Sequence, residues 1–144
     1  MKKPIIPVIV GPTASGKTRL SVALARSLDG EIVSADSMQI YRRMNIGTAK
    51  PTVEERCGIA HHMIDIIDPT EEYTLKQYLS GANDAIRSIL DRGRLPIVVG
   101  GTGLYVTSLM QNLQLAEEPD DPGCREELEA EYDAVGGEEM LRRL

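Results

Sequence analysis

A chain of 144 residues with 42% hydrophobic residues, no Trp and no Phe is one domain by length, with a core expected to be aliphatic. Cys57 and Cys124 have no CxxC partner, which argues against a zinc site and a secreted disulfide scaffold and suits reduced thiols in cytoplasm. The net charge of −6 is uneven: residues 116–144 hold eleven acids against three arginines, so residues 1–115 are slightly basic and permit a polyanionic partner.

The opening Met1-Lys2-Lys3-Pro4 is basic, but the apolar run after it breaks at Pro7 and meets a glycine loop too soon for a signal peptide. No stretch approaches transmembrane length, so no membrane partner is expected. Ile5–Val10 is apolar on both faces, as in a strand buried between helix layers, with Pro7 as its one oddity. Gly11-Pro12-Thr13-Ala14-Ser15-Gly16-Lys17-Thr18 follows and fits G-x-x-x-x-G-K-[ST]. Small residues at this spacing let consecutive backbone N–H groups turn inward around an anion at the positive end of a helix. Lys17 is then placed to bridge phosphate oxygens, and the Thr18 hydroxyl to meet a magnesium ion.

Lys17–Leu28 has apolar residues at helical spacing, and Asp29-Gly30 stops it. Glu31–Ser34 reads as a second strand that delivers Asp36 to its C-terminal end, the edge where open parallel sheets bind ligands. Residues 36–50 have no clean period and read as a functional loop. Arg42, Arg43 and Lys50 in it are suited either to RNA phosphates or to a solvated face.

Thr52-Val53-Glu54-Glu55 and Thr74-Leu75-Lys76-Gln77 have capping-box spacing, predicting a short helix closed by Gly58 and a long one to about Arg92. His61 and His62 lie in a short extended segment, where adjacent side chains point to opposite faces and make a poor metal pair. Pro96–Val99 is a third buried strand. Gly100-Gly101-Thr102-Gly103 leads from it into a helix through Met110, with Thr102 a candidate N-cap. Glu117–Pro122 reads as a linker; Gly123–Ala134 and Glu138–Leu144 read as acidic helices separated by Gly136-Gly137.

A phosphate loop of this kind usually has as partner a strand ending in Asp that completes the magnesium shell of a nucleotide triphosphatase. The strand Pro96–Val99 ends in Gly-Gly-Thr-Gly instead. The loop is therefore a strong signal for a diphosphate or triphosphate, with ATP one ligand it accommodates, and a weak one for ATP hydrolysis.

GPTASGKT at 11–18, SADSMQIY at 34–41, NIGTAKP at 45–51, HHMIDIIDP at 61–69 and GGTGLY at 100–105 together resemble the tRNA dimethylallyltransferases, or tRNA isopentenyltransferases. The resemblance is close from residue 4 to about 115 and loose beyond. It implies an α/β fold of the P-loop NTPase kind, three layers around a parallel sheet, with residues 1–115 an incomplete catalytic core and 116–144 the start of an acidic helical insertion.

It also implies transfer of the five-carbon group of dimethylallyl diphosphate to N6 of the adenosine next to the anticodon, in the cytoplasm, with Mg²⁺. Residues 11–18 would hold the diphosphate, with Lys17 catalytic and Thr18 on the metal. Asp36 would take the proton from N6; Thr102 would stand near the reacting groups; Asp36, Ser37, Met38, Gln39 and Thr102 would touch the tRNA. Competing functions are an adenylate isopentenyltransferase acting on free nucleotide, a P-loop small-molecule kinase, and a binding module without catalysis. Because phosphate-loop folds keep the first strand inside the sheet, Ile5–Val10 is expected to need a neighbour from a missing C-terminal part or a second chain.

Overall fold

Four short strands, β1 (Val8–Val10), β2 (Gly30–Ser34), β3 (His61–His62) and β4 (Leu95–Gly100), line up in parallel because crossovers join them, and the order is β1-β4-β2-β3. The computed structural model describes residues 4–112 and 122–142. β1 pairs with β4, β4 with β2, and β2 with β3.

The strands alternate between two helical layers. Ile32 and Ile97 meet Val22 and Ala25 of α1 (Lys17–Ser27) on one face. On the other, Val33 and Val98 meet Tyr78, Leu79, Ala82 and Ile89 of α3 (Leu75–Asp91) and Tyr105 and Val106 of α4 (Gly103–Met110). Residues one apart in a strand point to opposite faces, so near-continuous apolar strands are what a sheet covered on both sides requires.

Both capping boxes form. Thr52 starts α2 (Val53–Arg56), its hydroxyl accepting from the Glu55 N–H while the Glu55 carboxylate accepts from the Thr52 N–H; Thr74 and Gln77 do the same for α3. Cys57, in the left-handed region at φ 50°, ends α2 one residue before Gly58.

The structure departs from the sequence-based expectations in two places, the start of the first strand and the make-up of the core. The first strand begins at Val8, not Ile5, since Pro7 has no N–H to give; its carbonyl still accepts from the Val98 N–H at 3.0 Å. β1 also has only β4 as a neighbour among the described residues. Pro96 is tolerated inside β4 because residues two apart donate to the same side. Val98 donates towards β1, so the position of Pro96 faces that side too, before β1 begins to pair at Val98. Finally, the core is not purely aliphatic: Tyr78 and Tyr105 are buried and stacked, ring centroids 4.0 Å apart and 13° from parallel.

The described residues fall into two units, within Met1–Gln114 and within Leu115–Leu144. In the second, α5 (Pro122–Val135) ends where the Gly136 N–H returns to the Tyr132 carbonyl with φ 80°, and α6 (Gly137–Arg142) begins after it. Of the segment read as a linker, 117–122, residues 117–121 lie outside the described residues and Pro122 opens α5. Among those described, no helix is long and apolar enough to cross a membrane.

At the N-terminal ends of the strands, Glu31 is a buried carboxylate, its side chain 4% exposed, that accepts from Arg92 at 2.7 Å, His62 Nε2 at 2.6 Å and Arg94 at 3.2 Å. Burial alone would raise its pKa, but these hydrogen bonds outweigh burial and hold it at about 2. A depressed folded pKa contributes stability that is complete above the unfolded value, 4.5, and is lost as pH falls from there towards 2, on the order of 3 kcal/mol in full. Glu31→Gln should therefore cost roughly that much at neutral pH, with the gap from the parent narrowing between about pH 5 and about pH 3. Urea unfolding at both pH values checks this, and a gap independent of pH would contradict it.

Candidate diphosphate and acceptor site

Residues 11–18 fold as a concave loop because two positions turn the chain left-handed. Ala14 has φ 61° and Gly16, at the N-cap of α1, has φ 87° with no side-chain cap, so the N–H groups of the first turn are not claimed by a side chain. Lys17 Nζ donates to the Gly11 carbonyl at 2.6 Å and the Pro12 carbonyl at 2.5 Å, and Ser15 Oγ donates to the Pro12 carbonyl at 2.7 Å. The lysine thus lies across its own loop, its charge directed into the concavity. The Thr18 hydroxyl makes no hydrogen bond among the described residues.

The second half of the site is held beside the first by two glycines. A Cβ on Gly100 would lie 2.1 Å from the Ala35 carbonyl oxygen, and one on Gly101 would lie 3.3 Å from that of Gly11. With neither present, the end of β2 closes onto the end of β4: the Ala35 N–H donates to the Val99 carbonyl at 2.8 Å and the Thr102 N–H to the Ala35 carbonyl at 3.2 Å.

Asp36 therefore sits at the sheet edge facing the phosphate loop. Its Oδ1 accepts from the backbone N–H groups of Met38 at 2.8 Å and Gln39 at 3.2 Å, a local turn that fixes the carboxylate.

Thr102 occupies the N-cap position of α4 but makes no capping bond. Its hydroxyl instead accepts from the Ser37 N–H at 2.9 Å and donates to Ser37 Oγ at 3.3 Å, joining the loop after β4 to the loop after β2. Below them the Tyr78 hydroxyl donates to the Ser34 carbonyl at 3.0 Å, and burial pushes its pKa far above the ordinary tyrosine value. Tyr105, raised first by burial and then by neighbouring Tyr41 and Asp36, stacks on it. Sequence reasoning left Tyr78 out. The signal was present, since 78, 82, 85 and 89 lie on one face of α3.

A cavity of about 810 Å³ runs between these parts, lined among others by Lys17, Thr18, Asp36, Gln39, Gly101 and His61. Ser37, Met38 and Thr102 are not lining residues, although Asp36 and Gly101 beside them are. Burial holds the His61 ring below its ordinary pKa, the charges of Arg56 and His62 adding to this, so at neutral pH it is uncharged and Nδ1–H donates to the Ile59 carbonyl at 2.9 Å. His61 and His62 have different partners, and no cluster of three metal-ligating side chains occurs among the described residues.

One expectation for the loop requires correction. Lys50 does not lie on a solvated face: its side chain is 3% exposed and donates to Asp65, Tyr41 and Asn45 where it lines the same cavity. Arg42 donates to the carbonyls of Asp65 and Ile66 at 3.1 and 3.2 Å while its side chain stays 53% exposed, and Arg43, 82% exposed, reaches outward beside Asp68.

Comparison with known proteins places these features in context. Residues 39–144 match the family model described as IPP transferase, and residues 4–68 that described as isopentenyl transferase. A tRNA dimethylallyltransferase of Heliobacterium modesticaldum is 53% identical over 137 residues, 95% of this chain and 43% of that protein. One from an Exiguobacterium species is 50% identical over all 144 residues and 46% of its own length. The crystal structure of the full-length tRNA isopentenylpyrophosphate transferase of Bacillus halodurans superposes with a TM-score of 0.78 at 49% identity, over 93% of this chain and 44% of that one. A eukaryotic dimethylallyltransferase acting on tRNA superposes at 0.70 with 37% identity, over 81% and 33%. The chain spans less than half the length of these relatives.

The close approach at Gly100 gives a direct test. Gly100→Ala must displace the Ala35 backbone, and should destabilise the fold by ~3 kcal/mol or more in thermal unfolding, whereas Gly103→Ala, where an added Cβ meets open space, should stay within about 0.5 kcal/mol. Equal melting temperatures for the two variants would contradict the packing described.

Proposed function

Since this chain belongs to the tRNA dimethylallyltransferase family, we propose that it carries the diphosphate-holding and proton-accepting part of an enzyme that prenylates tRNA. In this reading the five-carbon group of dimethylallyl diphosphate passes to the exocyclic N6 of the adenosine next to the anticodon. The observation that carries it is the placement of the phosphate loop and Asp36 on one cavity, brought together by Gly100 and Gly101.

As the bond between C1 of the prenyl group and the diphosphate oxygen breaks, negative charge grows on the leaving group. Lys17 and the open N–H groups of residues 14–18 neutralise it in a prearranged cradle, which favours the transition state over the bound ground state. N6 forms the new bond to C1, and its proton passes to the Asp36 carboxylate, which the Met38 and Gln39 N–H groups hold in place. Thr102, bound to Ser37, keeps the acceptor side of the edge in register. Ser37, Met38 and Gln39 belong to that side and are the part of the loop an extruded base meets. Neither phosphoryl transfer nor water activation is needed, which fits a β4 that ends in Gly-Gly-Thr-Gly without an acid.

Magnesium fits the residues present. Among the described residues, the Thr18 hydroxyl has no other partner and no cage of protein carboxylates stands by, which suits an ion that takes most of its oxygens from diphosphate and water. Bound there, it would supply charge neutralisation to the diphosphate, with Thr18 as its protein ligand. The edge of β1 away from β4 is, in this reading, covered by the remainder of a longer protein or by a second chain, since its backbone groups otherwise present a template for association.

A second reading, prenylation of a free adenine nucleotide, has the match of residues 4–68 to the isopentenyl transferase model in its favour. Incubating the full-length protein with labelled dimethylallyl diphosphate and either an anticodon arm or AMP separates the two. Label on the RNA supports the first, label on AMP alone the second, and label on neither contradicts both. Lys17→Ala should weaken binding of inorganic pyrophosphate by ~100-fold. Asp36→Asn should leave that binding within about twofold while lowering transfer by roughly 10²- to 10⁴-fold, in turnover and not in affinity. Parent-like transfer in Asp36→Asn would leave the diphosphate as the better proton acceptor.

A further inference from the structure

Lys50 is a buried charge for which the chemistry above has no use. An ammonium is expensive to remove from water unless all its donors are satisfied, and here three acceptors surround Nζ: Asp65 Oδ1 at 2.5 Å, the Tyr41 carbonyl at 2.7 Å and Asn45 Oδ1 at 3.1 Å. The three come from two separate parts of the chain. Tyr41 and Asn45 lie on the loop that begins at Asp36, and Asp65 lies beyond β3.

Asp65 is itself tied to that loop. Its N–H donates to the Gln39 carbonyl at 3.1 Å, Ile66 N–H to the Ile40 carbonyl at 2.8 Å, and Arg42 N–H to the Ile67 carbonyl at 2.8 Å, so residues 39–42 run beside 65–67 as a short parallel ribbon. Arg56 approaches the other Asp65 oxygen at 3.6 Å, and Asp65 sits in the left-handed region at φ 56°, a conformation its surroundings must hold. From the other end, the Gln39 side chain donates to the Thr48 and Ala49 carbonyls at 3.3 and 3.1 Å and accepts from Ser34 Oγ at 3.2 Å.

We propose that Lys50 is a positioning residue for the acceptor. It locks the Asp36–Gln39 turn against residues 65–67 before any RNA arrives, so that Asp36 and the residues after it meet the adenosine in a fixed geometry, while Lys50 itself never touches the RNA. The word acceptor rests on the function proposed above; the lock does not. A flexible turn would have to be ordered on each encounter with RNA, and that ordering would subtract from affinity. The diphosphate cradle, built on β1 and α1, does not depend on the lock.

The test is Lys50→Met, which keeps the stem of the side chain and removes the charge, with Lys50→Met/Asp65→Asn as its companion, since Asn tolerates the left-handed backbone at 65, both in the full chain. Three quantities are read: amide hydrogen exchange, binding of inorganic pyrophosphate, and binding of a synthetic anticodon-arm RNA. In Lys50→Met, protection at Asp65, Ile66 and Arg42 should fall by ~10-fold or more while that of Val33 and Val98 in the strands is kept, pyrophosphate binding should stay within about twofold, and RNA binding should fall by ~10-fold. The double variant removes the uncompensated carboxylate and should regain the parent's melting temperature without regaining RNA affinity, which separates positioning from stability. Unchanged protection at Asp65 and Ile66 in Lys50→Met overturns the proposal, as does a loss that spreads equally through β2 and β4. RNA affinity that returns with melting temperature in the double variant overturns it too. A parent chain that binds pyrophosphate but no RNA counts against the function proposed above, and the exchange pattern still decides whether Lys50 is the lock.

Discussion

No side chain can stand between the end of β4 and the end of β2, and the site depends on that exclusion. The Ala35 carbonyl occupies the volume a Cβ at position 100 would need, and the Gly11 carbonyl lies within tight contact of where one at position 101 would be. Three loops of distant sequence origin, after β1, β2 and β4, therefore meet within backbone contact. A parallel sheet always gathers its ligand-binding loops at the C-terminal edge. Here the Gly-Gly pair sets how closely they gather, and so places a phosphate cradle and a carboxylate on one cavity.

The two ends of the sheet divide stability from chemistry. At the N-terminal end, Glu31 draws Arg92, Arg94 and His62 around a buried carboxylate and fastens β2, β3 and the end of α3 together. At the other end the charged groups are held differently: Lys17 rests on carbonyls that an anion can outcompete, and Asp36 is oriented by backbone N–H groups and not by a cation. A carboxylate neutralised by arginines is a poor proton acceptor. The buried Tyr78–Tyr105 stack beneath Ser34 gives this edge a rigid floor without adding a charge.

What could be read from the sequence was what is local in it. The phosphate loop, both capping boxes, the strand that delivers Asp36 and the glycine stop at Gly136 each rest on residues within a few positions of one another, and each is found where spacing put it. Lys50 was misjudged because an irregular loop has no period from which burial can be read, and a lysine among polar residues then looks solvated. Thr102 was legible as a helix start, but the partner of its hydroxyl is 65 positions away. The tyrosines were discounted because so few aromatics suggested an aliphatic core; two are enough when they stack at its centre. The weakness of the Ile5–Val10 strand lay in Pro7, where the absent donor shortens the ladder by its first residues.

The central claim is that one edge of this sheet holds a diphosphate and an adenosine side by side, and chemical-shift mapping on the ¹⁵N-labelled chain tests it most directly. Pyrophosphate should move the amide signals of residues 11–18 and Gly101, and anticodon-arm RNA added afterwards should move those of Asp36, Ser37 and Thr102 without displacing the pyrophosphate. Pyrophosphate shifts centred elsewhere, or RNA shifts confined to the Glu31 and His62 end of the sheet, would contradict the account.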